Sequence, residues 1–79
     1  MRPIYEIARE INQEWSKLGK GVNYAAKPYL DAMLSLNTTA DQYIMDSGTS
    51  VVLYGLSNMS SFRGEAARRL KKELKDHLK

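Results

Sequence analysis

Ile4, Ile7, Ala8, Ile11, Trp15 and Leu18 recur at intervals of three and four residues, so a helix would gather them within an arc of roughly 100°. Residues 3 to 18 are therefore expected to form an amphipathic helix. Pro3 suits its first turn, where the missing N–H is not needed, and Gly19 suits the residue just past its end. The opposite face carries Glu6, Arg9, Glu10, Gln13, Glu14 and Lys17, a mixture of signs that reads as solvation.

GKGVN, residues 19 to 23, interrupts this pattern as a turn, and Asn23 suits the cap of a second helix running to about Leu36. Ala26, Tyr29, Leu30, Met33 and Leu34 would share one of its faces. Pro28 lies too deep for a helix that begins at Tyr24, so either a short first turn restarts near Lys27 or the helix kinks. Thr39 and Gln42 match a capping box, opening a third helix that contains Tyr43, Ile44 and Met45. Asp46-Ser47-Gly48-Thr49 interrupts or ends it. Val51, Val52, Leu53, Tyr54, Leu56 and Met59 are then apolar almost all the way round, the pattern of a central helix covered by its neighbours. VVLY also has strand propensity, but a strand of this length has no partner elsewhere in the chain, so a helix is expected. Gly55 inside it costs about 1 kcal/mol relative to Ala, which a close helix crossing would offset. Ser60 or Ser61 suits the cap of a last helix whose packing face is Phe62, Ala66, Leu70, Leu74 and Leu78. The expectation is one all-α domain over residues 1–79, a compact bundle of four to five short helices, five if the break at 47–49 is real.

Composition narrows the setting. The chain has 79 residues, 43% hydrophobic and 27% charged, which suits a folded domain with a single core. It has no cysteine, so neither disulfides nor a thiolate metal site can stabilise it. MRPIYEIARE carries charges where a signal peptide is apolar, and the longest purely apolar run is Val51 to Tyr54, so a cytoplasmic location without membrane contact is expected. Asn37-Thr38-Thr39 and Asn58-Met59-Ser60 then match the glycosylation pattern by chance. The net charge of +3 is unevenly placed: residues 61–79 hold seven basic and three acidic groups, residues 1–60 five and six.

Catalysis needs a positioned histidine, cysteine or carboxylate pair, and the one histidine, His77, lies in the last turn, where a surface or interface role is expected. The protein is thus read as a non-enzyme. Gly19-Lys20-Gly21 lacks the spacing and the preceding strand of a phosphate loop, and neither the HExxH nor the EF-hand pattern occurs, so no cofactor or metal is expected. The last helix is different. Arg68, Lys71, Lys72, Lys75 and Lys79 fall within about 100° of arc, opposite Phe62, Leu70 and Leu74, and include like-charged i,i+4 pairs that weaken a helix. Glu65, Glu73 and Asp76 sit to one side, around Arg69. Cations near a helix C-terminus complement its dipole; the functional alternatives are contact with nucleic-acid phosphates or docking on an acidic protein surface. A helix-turn-helix centred on Gly48 would lay VVLYGLSNM against bases, and that segment is too apolar. Arg63 falls among the packing residues close to the positive pole of the helix. Either its stem packs while its head reaches water, or it stacks on Trp15 or a tyrosine. Tyr5, Tyr24, Tyr29, Tyr43 and Tyr54 are half-buried core residues or, if clustered outside, an interface.

NYAAKPYLDAMLSL and SFRGEAARRLKKELK, with SVVLYGLSNMSSF between them, resemble segments of small uncharacterised proteins encoded by tailed bacteriophages. The resemblance carries no motif of known chemistry. It implies a phage or prophage product in a bacterial cytoplasm that binds a host protein, a protein–nucleic acid complex or nucleic acid, with an anti-defence inhibitor such as an anti-CRISPR as one form. The expected function is macromolecular binding through Arg63, Arg68, Lys71, Lys72, Lys75 and Lys79 together with exposed aromatic residues. The alternatives are a non-specific nucleic-acid binder using the basic helix and a homo-oligomeric structural module.

Overall fold

Ile4, Ile7, Ala8, Ile11 and Trp15 line the buried face of the first helix, α1 (Ile4–Ser16), in the computed structural model, which describes residues 1–44 and 46–79. Pro3 precedes the helix in extended conformation and offers no side-chain cap. The first N–H groups are instead satisfied from elsewhere in the chain: Ile4 donates to Asn37 O and Tyr5 to Leu36 O, both at 2.9 Å. The start of α1 thus depends on the segment that follows α2. At the other end the helix stops at Ser16, two residues short of the expected Leu18, which lies in the turn and is 38% exposed. Gly21, with φ +73, takes the left-handed conformation of that turn, not Gly19.

Asn23 organises a turn, not a helix start: its Oδ1 accepts from Ala25 N at 2.8 Å and its carbonyl from Ala26 N at 2.9 Å. α2 (Lys27–Met33) begins beyond it, with Pro28 in the first turn, where no intrahelical N–H is wanted. Of the two alternatives for Pro28, the restart is the one realised. The helix ends at Met33, earlier than about Leu36, leaving Leu34 exposed while Leu36 folds back into the core.

The third helix expected from Thr39 does not form. Asp41 accepts from the backbone N–H of Asn37 (2.7 Å) and Thr38 (3.3 Å), in that order holding its carboxyl below the usual range, and Thr38 Oγ1 accepts from Ala40 N at 3.2 Å. Thr39, the expected cap, donates its hydroxyl to His77 O at 3.1 Å. These local side-chain bonds compete with helix formation. The chain then forms an antiparallel ribbon of β1 (Gln42–Tyr43) and β2 (Asp46–Ser47), with Gln42 opposite Ser47 and Tyr43 opposite Asp46. Ile44 sits at its tip with φ 56; the expected helical Met45 lies outside the described residues. The fold is therefore mostly helical with a small two-stranded sheet, not all-α.

Ser47 ends the ribbon and caps α3 (Gly48–Ser57), accepting from Ser50 N at 3.1 Å. The break at 47–49 is real, but it separates a ribbon from a helix. VVLY is helical as expected, and the cost of Gly55 is explained: a Cβ there would lie 2.3 Å from Met33 Cε and 3.3 Å from Tyr29 Cβ of α2. The expectation that α3 is covered all round fails. Val51, Val52 and Gly55 are buried, but Leu53 (49%) and Tyr54 (59%) face outward, because α3 lies at the edge of the bundle and packs through one side.

Residues 58–64 lead to α4 (Glu65–Asp76), which packs chiefly on α1. Buried side chains from all four helices and from this connection form one cluster, with Trp15 stacked on Phe62 at a centroid separation of 5.0 Å and an interplanar angle of 21°. The radius of gyration, 11.3 Å, is close to the value of about 12 Å typical of a compact domain of this length.

Two glycines separate packing from helix propensity. A Cβ on Gly48 would meet backbone, Asp41 O at 2.8 Å and Thr39 Cα at 2.9 Å, whereas that on Gly55 meets mainly the movable methyl end of Met33. Gly48→Ala is expected to destabilise the fold by about 2–3 kcal/mol. In Gly55→Ala the propensity gain of about 1 kcal/mol offsets most of the clash. Urea denaturation of the two variants beside the parent measures the difference.

Candidate functional site

Gly64, with φ 112, supplies the start of α4, and the expected cap at Ser60 or Ser61 is not used. The left-handed conformation needs no Cβ penalty only at glycine, so the chain bends there. Phe62 consequently lies ahead of the helix. The buried face of α4 is Ala67, Leu70, Leu74 and His77, at three- and four-residue spacing, whereas Ala66 and Leu78 are only half-buried. The strict every-fourth-residue face drifts round the helix, and burial follows the narrower stripe.

His77, expected at the surface or in an interface, is instead enclosed by its own chain. It is buried, its Nε2 lies 2.7 Å from Arg2 O, and its own carbonyl accepts from Thr39 Oγ1. It ties the end of α4 to the N-terminal arm and to the turn before the ribbon.

One flank of α4 is an ion-pair network with α1. Arg2 donates from Nε and Nη2 to the two carboxylate oxygens of Glu73, at 2.8 and 2.7 Å, and pairs with Glu10 at 2.9 Å. Arg69 pairs with Glu10 and, at 3.4 Å, with Glu73. The bond from Arg69 holds the Glu10 carboxyl below its ordinary range against the opposing effect of burial, with a further contribution from Arg2. Glu73 and then Glu10 raise Arg2 in turn. Glu10, read from sequence as merely solvated, joins two helices here.

The other flank carries the predicted basic residues, which divide into two sets. Lys72 and Lys79 each pair with Asp76 at 3.4 Å; burial pushes the Asp76 carboxyl up, but these two lysines more than offset it, bringing it below its usual value. Arg63, Arg68, Lys71 and Lys75 form the second set, and among the described residues none of them pairs with a carboxylate. Lys71 is half-buried with its ammonium 5.8 Å from the centroid of Phe62. Burial, then Lys75, then Arg63 push its pKa below the ordinary 10.5, so these three cations lie within each other's field. Arg63 does not stack on Trp15 or a tyrosine. Its Nε donates to Ser60 O at 3.2 Å and the side chain is exposed, so its head reaches water, as one of the two alternatives expected.

Beside this patch lies a cleft of about 580 Å³ between the end of α1, the 19–24 turn and Ser61. Trp15 contributes to its lining, and Lys20 and Tyr24 stand on its rim. Tyr24 is 91% exposed. The other tyrosines do not gather with it: Tyr29 pairs with Tyr54 at 6.0 Å, Tyr5 lies under Arg9 at 5.2 Å, and Tyr43 is half-buried in the ribbon. Sequence reasoning placed Tyr24 in the turn or first turn before the second helix but did not connect it with α4. The signal available was the position of Tyr24 between the Asn23 turn and the helix restart, where no packing face extends.

No protein-family model, curated protein or solved structure matches the chain. The site is therefore interpreted from its own residues.

The repulsion around Lys71 has a measurable sign. A lysine whose folded pKa lies below its unfolded value destabilises the fold while it is charged, and that cost fades as pH rises toward the unfolded pKa. Lys71→Met, which retains the stem over Phe62, is expected to raise Tm by about 2 °C at pH 7, within the range of modest surface changes. The difference from the parent shrinks as pH rises through the lowered pKa of Lys71 and vanishes past the ordinary 10.5; thermal melts across that range follow it.

Proposed function

We propose that the protein acts by binding, without catalysis, and that Arg63, Arg68, Lys71 and Lys75 form the surface that engages an acidic macromolecular partner. The position of Lys71 carries this reading. Lys71 is half-buried beside Lys75 and Arg63, among the described residues no carboxylate pairs with any of the three, and an anionic partner would relieve the repulsion they exert on Lys71. The opposite flank of the same helix supplies the contrast, since Arg69 and, reaching it from the N-terminal arm, Arg2 each meet two carboxylates there. Lys72 and Lys79 belong to the margin of the surface because Asp76 already compensates them.

The groups that acid–base chemistry would call on have other partners: His77 is held against Arg2 O, and Glu10 and Glu73 against two arginines. The resemblance to bacteriophage-encoded proteins extends the proposal to a partner in a bacterial host, either a protein or a protein–nucleic acid complex, with inhibition of a defence complex as one form of that role.

Titration of sodium polyglutamate and of a labelled oligonucleotide over a salt series tests the surface. Binding should weaken steeply with salt, and Arg63→Gln or Lys75→Gln should each reduce the slope of log K against log salt for the oligonucleotide by about one. Lys72→Gln should reduce it less. Absence of binding to both polyanions at low salt would overturn the proposal.

A further inference from the structure

The cleft beside the cationic patch is open, and its residues share a chemical character. Among those that line it, Lys20 carries the one charge, and Leu18 and Tyr24 supply the exposed apolar and aromatic surface, with Trp15 buried behind them. Its volume lies in the range of small-ligand sites. Tyr24 projects at its rim and is almost fully exposed, while the Trp15 and Phe62 rings stack on each other in the core.

Cleft and patch are also close. Lys71 Nζ stands 5.8 Å from the Phe62 centroid, and Phe62 lies 5.0 Å from Trp15, which helps to line the cleft. The ammonium is thus no more than about 11 Å from the centroid of the Trp15 ring. Ser61 at the cleft and Arg63 at the patch are separated by Phe62 alone. A chain of phosphates crossing Arg63, Lys71 and Lys75 would therefore bring its next bases to the cleft.

We infer that the acidic partner is a single-stranded nucleic acid, whose backbone lies across Arg63, Lys71 and Lys75 and whose unpaired base enters the cleft and stacks on Tyr24. This rests on the reading of the patch as the binding surface. Three partner classes meet the charge requirement, and the cleft distinguishes them. A duplex keeps its base faces stacked on one another, so none is free for Tyr24. An acidic protein surface supplies charge at its carboxylates but does not couple each charge to a flat ring, as a strand couples each phosphate to a base. A single strand supplies both, and stacking on an exposed aromatic tolerates any base because each has a π face.

The test compares three probes at one salt concentration: an oligothymidylate of about twelve nucleotides, within the usual single-strand site sizes, a duplex of the same length, and sodium polyglutamate. The single strand should bind tightest. Tyr24→Ala should weaken it about tenfold, in line with the loss of one stacked base, and leave polyglutamate unchanged. Tyr24→Phe, which keeps the ring, should retain the affinity for the strand. Arg63→Gln with Lys75→Gln should weaken all three probes. If Tyr24→Ala binds the strand as the parent does, or if duplex or polyglutamate binds as tightly as the strand, the single-strand inference is overturned while the patch stands as a binding surface. If the double Gln variant binds every probe as the parent does, the patch itself is overturned. Because Tyr24 is 91% exposed, its loss should leave Tm unchanged, and a melt of each variant confirms that the fold is intact.

Discussion

Trp15 and Phe62 meet face to face at 5.0 Å, each about 1% exposed, and the main segments of the chain are placed relative to that stack. Trp15 comes from the last turn of α1; Phe62 comes from the connection between α3 and α4. Burying two large rings against each other supplies more apolar area than any other pair in so small a core, and offset stacking adds a directional preference. The stack holds the 58–64 connection against the end of α1, so the turn at Gly64 can send α4 back along α1. It also forms the common support of the surface features: Trp15 helps to line the cleft, and Phe62 lies beneath the ammonium of Lys71.

The charges of α4 are sorted by what they face. Toward α1 the arginines and glutamates interlock, and with His77 they bind the N-terminal arm to the helix. Away from it, Asp76 compensates two lysines, and among the described residues four cations are left without carboxylate partners. Exposed ion pairs contribute little individually, but a network that joins separate segments constrains where the segments lie. The same helix therefore performs two tasks, with anchoring on one flank and an uncompensated field on the other. α3 follows a comparable division, since Gly55 permits its close approach to α2 while Leu53 and Tyr54 remain outside.

Periodicity was enough to locate α1 and the general course of α4, Pro28 gave the restart at Lys27 as one of two alternatives, and the lack of a partner strand gave the helical state of VVLY. The periodic helices depend on spacing within one segment, and burial of the resulting stripe reinforces the local preference. The misreadings came where a local pattern had a competitor elsewhere. Thr39 and Gln42 matched a capping box, but the Thr39 hydroxyl is engaged by His77 O and Asp41 captures the N–H groups of Asn37 and Thr38. Ser60 and Ser61 matched a cap, but the Trp15–Phe62 stack requires the chain to pass Phe62 before it turns at Gly64. His77 read as a terminal surface residue because Arg2, its partner, lies 75 positions away.

The sequence by itself determined that the chain is mostly helical, the amphipathic face of α1, the absence of disulfide chemistry and the concentration of cations near the end of the chain, because these are properties of composition and near-neighbour spacing. The tertiary structure decided which cations are compensated, that Glu10 and Glu73 share two arginines, that a ribbon replaces the expected third helix, and that Trp15, which lines the same cleft as Tyr24, stacks on the Phe62 beneath Lys71. These outcomes depend on contacts between residues far apart in the chain. Such contacts form only when buried side chains bring the segments together, and no pattern within a single segment encodes them.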